Sequence, residues 1–169
     1  MVTSSTAGPS APGRQPDDPF ETPGGEPGEE RGMADVLARA QAAVADLAKD
    51  YTTWARADVD RARKALEAAA SDPAQRARHV EEMFRVAHDL KGQGASFGYP
   101  LVTKLADSLC RLTRDRKLSY GDQHLDLAKA HLDAVQLVLA KEIKGEGGQL
   151  GADLAAKLDR RVTELLNSG

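Results

Sequence analysis

The chain has 169 residues, with 26 acidic and 23 basic side chains and a formal net charge of −3 at pH 7. There is no basic excess to neutralise phosphates, so nucleic-acid binding has no electrostatic support; the single cysteine, Cys110, excludes an internal disulfide framework. Hydrophobic residues make up 41% and aromatics only 4%, a mix rich in alanine and leucine that favours helices over sheets.

Residues 1–32, "MVTSSTAGPSAPGRQPDDPFETPGGEPGEERG", hold six of the eight prolines and one aromatic, Phe20. Such a segment buries too little surface to offset the entropy of ordering, and it is expected to be a disordered tail. It has no charged region followed by an apolar core, so it is not a secretory signal. No run in the chain approaches the roughly 18 apolar residues of a membrane span. A cytoplasmic protein is expected.

From Met33 the pattern changes. Met33, Leu37, Ala40, Val44, Leu47 and Tyr51 follow spacings of four and three, the stripe of an amphipathic helix. Trp54, Val59, Ala62, Leu66 and Ala69 extend it less regularly, leaving open whether 33–70 is one helix or two meeting near Asp50–Thr53. "SDP" at 71–73 punctuates the chain with a capping residue and a proline suited to a first helical turn. The next helix is expected from about Ala74 to Phe97, with Val80, Met83, Ala87, Leu90, Gly94 and Phe97 inward. "GYP" at 98–100 stops it, and Pro100 opens a helix with Leu101, Leu105, Leu109 and Leu112 inward. "SYGD" at 119–122 reads as a turn. Leu125, Ala128, Leu132, Val135 and Leu139 then keep heptad spacing. "GEGGQLG" at 145–151 reads as a glycine loop, followed by a last helix with Leu154, Leu158, Val162 and Leu165. With no period-2 pattern of useful length, the expected fold is all-α: an antiparallel four-helix bundle over 33–169 with additional N-terminal and C-terminal helices.

The stretch "RVAHDLKGQGASFGYP" carries the candidate chemistry. Each glycine in a helix interior costs roughly 1 kcal/mol against alanine, and here three fall at 92, 94 and 98. On a helix, His88 shares a face with Phe84, Arg85, Lys91 and Gly92. Ala87 and Leu90 belong to the core stripe, so His88 lies at its edge and can face solvent. Imidazole titrates near pH ~6.5, which leaves a neutral, nucleophilic nitrogen at neutral pH. Gly92 clears space above the ring, and Lys91 can reach an anion attached to it. A phosphoryl group brings close to two negative charges that such an ammonium can offset.

"AHDLKGQGASFG" resembles the signature of histidine-containing phosphotransfer (HPt) domains. That motif runs His, any residue, an aliphatic, Lys, Gly, small residues, then an apolar residue and Gly. His88, Leu90, Lys91, Gly92, Gly94, Ala95, Phe97 and Gly98 fit it, while Gln93 stands where a small residue is usual. The resemblance implies that His88 accepts a phosphoryl group from an aspartyl phosphate on a receiver domain of a response regulator or hybrid histidine kinase. It passes the group to another receiver aspartate. Lys91 would stabilise the group and Gly92 would leave room for the partner, with Phe84, Arg85 and Ala95 as partner-binding candidates. No cofactor of its own is implied; Mg²⁺ would belong to the receiver. The protein would be a monomeric phosphocarrier rather than a turnover enzyme. Nor does the chain show a glycine-rich phosphate loop between strand and helix.

Other patterns read more plainly. His124 and His131 are two helical turns apart and cannot share one ion, and His79 near Glu82 is a weak metal motif. Cys110, beside the inward Leu109, reads as a packing residue. Two alternatives stand beside the phosphocarrier. The chain could be the phosphoacceptor fragment of a chemotaxis-type histidine kinase, which shares a His–x–x–Lys–Gly motif, or a helical docking module in which His88 does nothing.

Overall fold

The computed structural model describes residues 27–115 and 119–168. Five helices run in order: α1 (Pro27–Ser71), α2 (Arg76–Gly94), α3 (Pro100–Thr113), α4 (Asp122–Ala140) and α5 (Gly148–Asn167), with a 3₁₀ turn at Ala95–Phe97. No strand occurs among the described residues. By its internal contacts the chain divides into residues 1–39 and 40–169.

The segment before Met33 departs from the expected tail. Its first 26 residues lie outside the described residues, but helix begins at Pro27, six positions early. A proline at a helix start gives up only an amide with no partner there. The question at Asp50–Thr53 has a clear answer too: α1 is one helix of 45 residues, so there is no separate N-terminal helix. No glycine or proline interrupts 33–70, and the Thr52 hydroxyl donates to the Lys49 carbonyl (2.9 Å) inside the helix.

In residues 27–39, Met33, Val36 and Leu37 are exposed. In residues 40–169, Val44 and Leu47 are exposed as well, and burial on α1 begins at Tyr51 and continues through Ala55, Val59, Ala62, Leu66 and Ala69. Val44 and Leu47, the later part of the early stripe, thus lie on a helix without entering the core. Trp54 also lies outward, 54% exposed, and the smaller Ala55 takes the inward place.

The four core helices close a ring. Arg61 of α1 pairs with Glu82 of α2 (3.2 Å), and Arg63 of α1 with Asp133 of α4. α2 packs on α3, α3 on α4, and α5 lies against both α3 and α4. Met83, Leu90, Leu101, Leu105, Leu109, Leu132 and Leu139 fill the centre, each 2% exposed or less. Two arginines finish helix ends whose last carbonyls lack intrahelical donors. Arg56 donates to the Leu139 carbonyl at the end of α4 (2.8 Å) and Arg76 to the Ala69 carbonyl at the end of α1 (2.9 Å); Arg76 also donates to the Tyr120 carbonyl just ahead of α4 (2.9 Å).

Three boundaries shift. Asp72 accepts the Ala74 and Gln75 amides (3.1 and 3.3 Å), forming a turn that delays α2 to Arg76. The C-terminal end of the second expected helix is the separate 3₁₀ turn, and Phe97 is only partly buried. The glycine-rich stretch is a loop only to Gly147, since Gly148 to Gly151 begin α5. That loop is strapped to the corner before α3. The Gly145 amide donates to the Gly98 carbonyl (3.0 Å) and the Leu101 amide to the Gly145 carbonyl (3.3 Å). The Lys144 ammonium donates to the Phe97 carbonyl (3.3 Å) and sits 3.8 Å from the centre of the Tyr99 ring.

One buried polar pair joins α3 to α4. His131 is fully buried, with Nδ1 2.7 Å from the Leu127 carbonyl and Nε2 2.9 Å from Ser108 Oγ. A carbonyl only accepts, so Nδ1 carries the proton and Nε2 accepts from the Ser108 hydroxyl. Burial holds the His131 pKa below the usual histidine value. The unfolded chain therefore binds more protons as pH falls past ~6.5, and folding stability falls with it. Urea melts at pH 7.5 and 5.5 should show this loss, and His131→Gln should flatten it in part. His124, also depressed by burial, supplies a remainder. An unchanged pH slope in His131→Gln would refute the assignment.

Candidate functional site

Ala87 and Leu90, at 0% and 2% exposure, bury the inner face of α2. That burial turns His88 outward. Of the four histidines it is the one in an exposed position: His131 is buried, and His79 and His124 are half-buried. Both His131 nitrogens are engaged, and His124 Nδ1 accepts the Gly121 amide (3.2 Å). Among the described residues, none hydrogen-bonds to the His88 ring. Its one ring neighbour is Phe84, a turn earlier, with centroids 6.1 Å apart and planes tilted by 39°.

The three glycines have three different reasons. A β-carbon at Gly92 would meet nothing within 4 Å, so this position is open surface one turn from His88. At Gly94 a β-carbon would lie 2.7 Å from Thr103 Oγ1 and 3.0 Å from the Tyr99 carbonyl oxygen. This glycine lets α2 approach the start of α3. Thr103 uses that approach, accepting the Ala95 amide (2.8 Å) and donating to the Lys91 carbonyl (3.3 Å). Gly98 sits at φ 85°, the left-handed region in which a side chain is strained, and it ends the 3₁₀ turn.

Lys91 does not lie over its own helix. Its ammonium is 2.6 Å from Asp107 Oδ1 on α3, with side-chain exposures of 42% and 47%. The hydrogen bond to Asp107, followed by its charge, holds the lysine pKa above the ordinary value. Arg85 turns back along α2 toward Glu81 (2.8 Å) and Glu82 (3.5 Å), and Ala95 is an exposed residue at the start of the 3₁₀ turn. The structure therefore keeps His88, Phe84 and Gly92 together on one exposed face. It draws Lys91 across to α3, commits Arg85 to acidic neighbours, and places Ala95 nearly two turns along from His88. Spacing along one helix carries no signal for Asp107, Thr103 or Arg114, which reach this region from α3. Cys110 is buried, and burial pushes its thiol up to about 11. Among the described residues, no group of three His, Cys, Asp or Glu side chains is placed to hold a metal ion.

Chemically, the face offers an exposed imidazole on a rigid helix, open space beside it, and a cation within side-chain reach. Residues 46–138, more than half of the chain, match the Hpt domain family, and the match spans α2, α3 and nearly all of α4. The chain belongs to the Hpt domain family. No curated protein and no solved structure matches it. Hpt domains are phosphotransfer modules of two-component signalling and interact with receiver domains. As an Hpt domain the chain is helical throughout its described elements, and no described helix is long and apolar enough to cross a membrane.

Proposed function

We propose that this Hpt protein carries a phosphoryl group on His88, taking it from a receiver-domain aspartyl phosphate and passing it to a second receiver. The observation that supports this reading most is the exposure of His88 with its ring nitrogens unengaged among the described residues, next to open space at Gly92.

In the forward step a neutral ring nitrogen attacks phosphorus. The N–P bond forms as the P–O bond of the acyl phosphate breaks, and the bonding pair leaves with the receiver's carboxylate. The second ring nitrogen keeps its proton, and the phosphoimidazole can release it to water. The onward step is the reverse, toward a different carboxylate. Little covalent work falls to the protein, so positioning and charge carry the rate. Lys91 offsets the phosphoryl charge, the open surface at Gly92 admits the partner, and Phe84, Arg85 and Ala95 form its landing surface. Mg²⁺ enters with the receiver's acidic pocket, and the protein acts as a monomeric carrier in the cytoplasm.

Purified protein incubated with phosphorylated receiver domains from the same genome should gain label that is lost in acid and survives base. If none of those receivers passes label to it, the reading fails.

A further inference from the structure

The one cation within a turn of His88 that the family motif supplies is already occupied. Lys91 and Asp107 form an ion pair between α2 and α3, at 2.6 Å with both side chains partly in water. Arg114, just past the end of α3, also bears electrostatically on Lys91. A pair this exposed is weak. A phosphoryl group on His88 carries close to two negative charges against the single charge of Asp107, so it can take the ammonium over. The swing is short, since Lys91 and His88 are three residues apart on one helix face.

Resting on His88 as the phosphoacceptor, we propose that Asp107 is a positioning residue. It holds Lys91 against α3 while His88 is bare, and it competes for the ammonium once His88 is phosphorylated. The competition weakens the grip on the phosphoryl group, which suits a carrier that must release what it accepts. By linkage, whatever Lys91 gains from the phosphoryl group is reduced by what it forfeits at Asp107.

The test reads the charge at the phosphoryl group itself. Phosphoramidate phosphorylates exposed imidazoles directly, and the ³¹P signal of His88 is assigned by its loss in His88→Gln. Its shift against pH reports the second phosphoryl ionisation, near pH ~6. Freeing Lys91 through Asp107→Asn should lower that ionisation by about 0.2–0.7 pH unit, the range that the strength of exposed ion pairs allows. In a Lys91→Ala background the same Asp107→Asn change should have little effect, an outcome that a purely structural aspartate does not produce. No shift in the single variant overturns the proposal. So does an undiminished shift in the Lys91→Ala background, because Asp107 would then act directly and not through the lysine. Loading with phosphoramidate needs no receiver, so failure of this coupling is distinguishable from failure of receiver labelling.

Discussion

His88→Gln should remove all transferable phosphate from the protein while leaving its melting behaviour unchanged. The side chain is exposed and makes no hydrogen bond with any described residue, so replacing it orphans no partner and gives up only the ring contact with Phe84. Glutamine is a good helix residue, and α2 should form as before. No other histidine should stand in. His131 is sealed in the core with both nitrogens bonded, His124 is tied to the start of α4, and His79 is half-buried in the first turn of α2. Acid-labile label after exposure to phosphorylated receivers would read the outcome, and circular dichroism melts would confirm the fold. Label retained by the variant, or mapped to His79, His124 or His131, would move the site elsewhere.

The second large effect separates two neighbouring glycines. Gly92→Val should cut transfer by about tenfold or more, the equivalent of about 1.4 kcal/mol lost from the docked complex, because a branched side chain would stand where the receiver must approach. Gly92→Ala should steady the isolated protein by up to about 1 kcal/mol, since the new β-carbon meets nothing within 4 Å and alanine is the better helix former. Gly94→Ala should do the opposite. Its β-carbon would press on Thr103 and on the Tyr99 backbone, and overpacking of this kind costs about 1–3 kcal/mol. Transfer by Gly94→Ala should then fall only in proportion to the unfolded fraction. Urea melts and transfer rates on the three variants distinguish these roles. Normal transfer by Gly92→Val would refute the steric account of Gly92, and unchanged stability in Gly94→Ala would show that α2 and α3 have room to spare.

Much of this was legible in the chain, for identifiable reasons. Apolar spacings of three and four located α3 and α4 because their leucines recur on the core side, and Leu101, Leu105, Leu109, Leu112, Leu125, Leu132 and Leu139 are all buried as that spacing predicts. The same rule placed Met33, Leu37, Val44 and Leu47 on one face of a helix but could not say whether anything lies over that face. His88 stood out as a candidate in the sequence because glycine at 92 opposes helix formation and so needs a reason outside the helix. What Gly94 does was not legible, because its reason is Thr103 on another helix. Asp107 was hidden for the same cause: nothing along α2 points to a carboxylate sixteen positions later. The end of the glycine loop was missed because helix propensity treats Gly148 and Gly151 as breakers, whereas in the fold they open α5.

The strap from Gly145 to the corner at Gly98 reaches further than its two backbone hydrogen bonds suggest. The stretch matched by the family ends at residue 138, yet the peptide that braces the exit of the histidine helix lies beyond it, at 144 and 145. The portion of the chain recognisable by descent is thus shorter than the portion that packs behind the helix carrying His88. A fragment cut at the edge of the family match would retain His88, Lys91 and Gly92 but lose the brace behind them. Conversely, α5 connects to the corner behind His88 through only three loop residues, 145–147, away from the surface on which a receiver would land.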